Sequence, residues 1–149
     1  MDPRSITTFV SIVYNGCMEQ LKLTVAIVDD DEAVRRALRR MVSSFSYGVA
    51  EFSSGQAFLE GIGAETFACV LLDMHMPELN GIDVLVRLRM TGHNIPAIII
   101  TGGDEPKMRD RCMSAGAREY LTKPLERDVA LAAIQASMSL VGPQLGSRI

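Results

Sequence analysis

Little in this sequence points to export, to a membrane or to nucleic acid. Cysteine is scarce: Cys17, Cys69 and Cys112 are odd in number and share no metal-like spacing. Disulfide frameworks belong to small secreted domains, so these residues are read as reduced thiols in a cytoplasmic protein. No apolar run approaches the ~20 residues that a membrane-spanning helix needs. No long run of either charge occurs, and the formal net charge is −3, which leaves no basic stripe for nucleic acid. Neither a membrane nor a nucleic acid is therefore expected as a partner of this chain.

What remains is an ordinary globular composition, 48% apolar and 22% charged over 149 residues, with room for one full core. Residues 21–140 are expected to form that domain, 1–20 a mobile N-terminal appendage and 141–149 a tail. The apolar run Ile6–Tyr14 behind Arg4 faintly suggests a signal peptide. It is short, polar at Thr7, Thr8 and Ser11, and no small-residue cleavage site follows. Met18 is an alternative start.

From Leu23 the chain alternates apolar strands with helical periodicity. Leu23–Val28, Val49–Phe52, Ala68–Leu72, Ala97–Ile100 and Glu119–Leu121 read as strands. Between the first two, Val34, Leu38, Met41, Val42 and Phe45 recur at helical spacing, with Arg35, Arg36, Arg39 and Arg40 on the other side. A brief helix capped by Ser53 or Ser54 runs through Leu59 and closes at Gly61 and Gly63. Further helices are expected over Ile82–Arg89, with Val84, Leu85 and Leu88 inward, from Pro106 to Gly116, and from Glu126 to about Met138. On the last, Leu125, Val129, Ala132, Ala133 and Ala136 make the inward face, leaving Leu131, Ile134 and Met138 on another flank. That flank would suit a partner or a second copy, or be scattered surface hydrophobes. Strands alternating with helices define an α/β fold with a parallel sheet, helices on both faces.

In such an open sheet, ligands bind outside the carboxyl ends of the strands. Those ends carry the polar residues: Asp29, Asp30 and Asp31 after the first strand, Asp73 after the third, Thr101 after the fourth and Lys123 after the fifth. A lone aspartate there is usually a cap or turn residue, and for Asp31 that reading is favoured over a metal role. Several carboxylates meeting on one rim repel one another and call for a cation. Mg²⁺, which takes one or two carboxylates, waters and a phosphate, is the natural one. A carboxylate beside it can attack phosphorus to give an acyl phosphate, with Lys123 and Thr101 available to phosphate oxygens.

The ordered set Val28-Asp29-Asp30, Asp73 with Met76-Pro77 and Gly81, Ile100-Thr101-Gly102 and Lys123-Pro124 resembles the receiver (CheY-like) domain of bacterial two-component response regulators. The resemblance covers Leu23 to Ala136, with 43 residues from Asp30 to Asp73, 28 to Thr101 and 22 to Lys123. It implies a doubly wound, flavodoxin-like sheet of five parallel strands in the order 2-1-3-4-5. It implies that Asp73 accepts a phosphoryl group from a histidine kinase or a phosphotransfer protein. Asp29, Asp30, Asp73 and the backbone carbonyl of His75 would hold Mg²⁺. Thr101 would be the switch hydroxyl, Lys123 the phosphate-binding cation, Pro124 a cis-proline, and Tyr120 the aromatic that turns inward when Thr101 moves. The changed surface would be the fourth helix, fifth strand and fifth helix, where a homodimer would form. His75 and Gly103 stand where this family tunes phosphate lifetime; Gly103 offers no group to orient water, and His75 is expected to control the rate. Such a chain is a signalling switch rather than an enzyme, taking part only in its own phosphorylation and dephosphorylation.

Three other readings compete. A haloacid-dehalogenase phosphatase would want a second aspartate two residues after the nucleophile, where His75 stands, and a cap domain. A pseudo-receiver that binds partners without phosphate would not need the full set of Asp73, Thr101 and Lys123. A flavodoxin-like cofactor protein would want a phosphate loop after the first strand, and none is present.

Overall fold

In the computed structural model, the backbone is described for residues 9–14, 17–103 and 105–139, and side chains for 22–103 and 105–139. The expectations for the tail at 141–149 and for the Cys17 thiol lie outside these residues.

The chain enters through two strands, β1 (Phe9–Tyr14) and β2 (Cys17–Lys22), paired antiparallel as a separate two-stranded sheet. The sequence reading of 1–20 as a mobile appendage expects no strand here; the apolar alternation is too short and interrupted to mark one. After Leu23 the α/β unit begins: β3 (Thr24–Val28), α1 (Glu32–Ser44), β4 (Gly48–Phe52), α2 (Gly55–Gly61) with a single 3-10 turn, β5 (Cys69–Asp73), α3 (Gly81–Met90), β6 (Ala97–Thr101), α4 (Pro106–Ser114), β7 (Glu119–Thr122) and α5 (Arg127–Ser139).

The main sheet has five strands in the order β4-β3-β5-β6-β7, every adjacent pair parallel. Counted within that sheet, this is the expected 2-1-3-4-5. Residues β3, β5 and β6 contribute to both faces are buried, as strands covered on two sides must be. Because alternate side chains point to opposite faces, the strands feed two cores. Ala26, Val28, Val70, Leu72 and Ile99 pack with Phe58 of α2, with Val84, Leu85 and Leu88 of α3, and with Cys112 of α4. Val25, Ile27, Leu71, Ile98 and Ile100 pack with Leu38 and Val42 of α1 and Ala130, Ala133 and Ile134 of α5.

Two helix faces differ from the sequence reading. On α5 the buried residues are Ala130, Ala133, Ile134 and Ser137, so the helix is rotated by one position from the expected face. Val129 is 46% exposed, and Ile134, assigned to the outer flank, is fully buried. Alanines at 130, 132, 133 and 136 give little contrast between sides, so periodicity could not fix the phase. The buried Ser137 hydroxyl donates to the Ile134 carbonyl, which makes a polar residue tolerable inside. On α1, Arg35 does not share the solvent face with Arg36: its side chain is only 16% exposed and turns back toward the strand ends.

Candidate functional site

The carboxyl ends of β3, β5, β6 and β7 lie side by side, so the residues that end them share one rim. Asp29 follows β3 and is buried, Asp30 beside it is exposed, and Asp73 ends β5 at 5% exposure. One carboxylate oxygen from each lies within 4.8 Å of the others, a group able to hold a metal ion. The Lys123 ammonium bridges the two buried members, 3.2 Å from Asp29 Oδ2 and 3.1 Å from Asp73 Oδ1. Its backbone N–H donates to the Thr101 carbonyl at 2.7 Å, tying the end of β7 to the end of β6. The Lys123–Pro124 peptide bond is cis.

The proton affinities of Asp73 and Lys123 are set by this crowding. Burial and the neighbouring Asp29 carboxylate push the Asp73 carboxyl above its ordinary value, and Lys123 only partly offsets them. The Lys123 ammonium is pushed up as well: burial works against its charge, but hydrogen bonding and attraction to Asp73 and Asp29 win. One cation therefore does not satisfy the carboxylates it touches, and oxygen donors at this spacing suit a hard divalent ion.

Local structure explains the placement. The second Asp29 oxygen, Oδ1, accepts the Asp31 N–H at 2.9 Å. Asp31 is the N-cap of α1, its carboxylate accepting from Ala33 and Val34 N–H, and it stands outside the acidic cluster. After Asp73 the chain turns sharply. Met74 N–H donates to the Ile100 carbonyl, and Gly81 N–H donates back to the Met74 carbonyl. A Cβ at Gly81 would sit 3.1 Å from the Asp73 carbonyl oxygen, so a side chain there would press on the strand end as α3 returns. Asn80 and Asp83 form a reciprocal capping box that starts α3. Glu78 within the loop holds φ +68°.

Thr101 is fully buried at the end of β6, and its hydroxyl oxygen accepts the Gly103 N–H at 3.2 Å. Tyr120, on β7, is 4% exposed, so its ring already lies inside, and its hydroxyl donates to the Gly103 carbonyl at 3.4 Å. The Arg109 guanidinium covers that ring, 5.6 Å from its centroid. The His75 side chain is exposed in the loop after β5. Of the cysteines, Cys69 and Cys112 are free and buried, and burial pushes the Cys69 thiol up to about 12.

The rim thus gathers Asp29, Asp30, Asp73 and Lys123, with Thr101 bonded in beside them. Sequence reasoning missed Arg35, whose NH1 donates to the Asp29 carbonyl at 2.7 Å. Arg35 and Arg39, one helical turn apart, both meet Glu51 on β4, a pairing that only the fold creates.

A parallel five-stranded sheet in this order, with an acidic group and a lysine at its carboxyl rim, has the makings of a signalling receiver. Residues 25–135 match the response regulator receiver domain family, and the chain belongs to it. It is 38% identical over 127 residues to response regulator protein TmoT of Ectopseudomonas mendocina, covering 85% of this chain and 58% of that protein. It is 34% identical to transcriptional regulatory protein FixJ of Bradyrhizobium diazoefficiens over 119 residues, 80% of this chain and 58% of FixJ. The chain therefore spans just over half the length of these curated relatives. Among solved structures, the FixJ-N crystal structure aligns with TM-score 0.75 and 34% identity, covering 80% of this chain and 95% of that one. Response regulator StyR aligns with TM-score 0.76 and 37% identity, covering 86% and 65%. No helix among the described residues is long and apolar enough to cross a membrane.

Proposed function

We propose that this chain is a phosphorylation switch in which Asp73 accepts a phosphoryl group from the phosphohistidine of a kinase or phosphotransfer protein. The observation that carries this is the Lys123 bridge between Asp73 and Asp29, inside a three-carboxylate group that one cation leaves under-neutralised.

Asp29, Asp30, Asp73 and the His75 backbone carbonyl would hold Mg²⁺, which when bound would neutralise charge on the carboxylates and the incoming phosphoryl oxygens. An Asp73 carboxylate oxygen attacks phosphorus, the P–N bond to the donor imidazole breaks, and the imidazole leaves with the bonding pair. Lys123 turns its ammonium to a phosphoryl oxygen, where it replaces part of its contact with Asp73. The added charge of about −1.5 to −2 then draws the Thr101 hydroxyl from Gly103 N–H toward a second oxygen. Gly103 also accepts from Tyr120, so that movement is felt at the ring and along α4, β7 and α5. A second copy binding on this face, around the exposed Val129, is the proposed response. His75 is exposed in the loop after Asp73, and we assign it control of phosphate lifetime; an unchanged rate of phosphate loss in His75→Ala would remove that role. The chain catalyses no turnover of an external substrate, and its working compartment is the cytoplasm.

The direct test is incubation with acetyl phosphate and Mg²⁺, followed by intact mass. One added phosphoryl group is expected, and none when Mg²⁺ is withheld or in Asp73→Asn. Continuous release of phosphate from a small ester would instead favour a phosphatase, and absence of any label a phosphate-independent binding module.

A further inference from the structure

We infer that Arg35 is a positioning residue for the metal site, locking the backbone that presents Asp29 and Asp30. Arg35 lies in the second turn of α1, yet its guanidinium reaches back to the Asp29 carbonyl at 2.7 Å, a short charge-assisted bond. The other side of the fork faces Glu51 of β4 at 3.6 Å, and Glu51 is held in turn by Arg39 at 2.9 Å. Asp29 N–H donates to the Phe52 carbonyl of the same strand β4 at 3.2 Å. Asp29 is thus fixed through its amide, its carbonyl and, at Oδ1, the Asp31 N–H. Only Oδ2 is left to face Lys123.

The alternative is that Arg35 acts as a nearby positive charge. The two roles predict opposite signs. A cation close to a magnesium site repels the ion, so removing it would strengthen binding by Coulomb's law. Removing a group that orients the ligands weakens binding, typically 10- to 100-fold for such outer partners.

This inference rests on the proposed magnesium site, and the experiment separates the two. Calorimetric titration of the full 149-residue chain with MgCl₂ compares the unaltered protein, Arg35→Gln and Arg35→Lys. Arg35→Gln is expected to bind about tenfold more weakly, and Arg35→Lys to fall between it and the unaltered protein. In acetyl phosphate labelling, the Mg²⁺ concentration giving half the maximal rate should rise by a similar factor, with the rate at saturating Mg²⁺ changed far less. Affinity in Arg35→Gln equal to or above that of the unaltered protein overturns the inference. If thermal melting shows that Arg35→Gln is unfolded, Arg35→Lys carries the test, and unaltered affinity there overturns it too. Failure of the unaltered protein to bind Mg²⁺ would sink the proposed site itself.

Discussion

At Asp73 the fold accepts a cost: a carboxylate is buried beside another carboxylate, and its proton affinity rises. A carboxyl whose folded value lies above the unfolded one contributes stability below the usual carboxylate range, and loses it as pH rises through the folded value. Asp73→Asn, which cannot ionise, is therefore expected to melt above the unaltered protein at neutral pH, with the gap closing as pH falls through the carboxylate range. Thermal melts across that range measure it. Lys123, also raised, loses its contribution only at alkaline pH, above its ordinary 10.5. Adding Mg²⁺ should offset the Asp73 cost, stabilising by about 2.7 kcal/mol at a hundredfold excess over Kd, and much less in Asp73→Asn. Asp31 has a different task. Asp31→Ala removes the α1 cap, which should cost about 1 kcal/mol in denaturant unfolding while acetyl phosphate labelling persists. That carboxylates stand at the strand ends, and that Asp31 caps α1, was legible because strand end and helix start are local signals. Arg35 was not, because its partners come from the β3 end and from β4, which only the folded chain brings together.

At the scale of elements, strands were the clearest feature. Fully apolar runs such as Ala97–Ile100 leave no other comfortable place than a sheet covered on both faces. The phase of α5 was hidden by its alanines, and it yields a sharp contrast. Ile134→Ala should cost about 2–5 kcal/mol, whereas Val129→Ala should stay within about 0.5 kcal/mol. The reverse order in urea titrations would restore the face read from sequence. The β5–α3 loop offers a second contrast. A methyl at Gly81 meets the Asp73 carbonyl, Ile99 and Met74 at 3.1 Å, so Gly81→Ala should shift the phosphoacceptor backbone and slow labelling as well as destabilise. In the sequence this glycine stands out only within the set that resembles the receiver family; its approach to Asp73 became visible only with the fold.

For the molecule as a whole, five parallel strands put their carboxyl ends along one edge, and the proposed switch draws on four of them. The β1–β2 hairpin was illegible because its alternation is short and interrupted. The α4-β7-α5 face is expected to change association. Sedimentation velocity should show monomer without, and dimer with, a beryllofluoride phosphate mimic, and Val129→Glu should keep the chain monomeric in both. Above all, the aspartyl phosphate must form at one residue. The most direct measurement is borohydride reduction of the acetyl phosphate-labelled chain, which converts a phosphorylated aspartate to homoserine, followed by peptide mass mapping. Homoserine at position 73 alone, dependent on Mg²⁺, is the expected result; conversion at Asp29 or Asp30, or label persisting in Asp73→Asn, would contradict it.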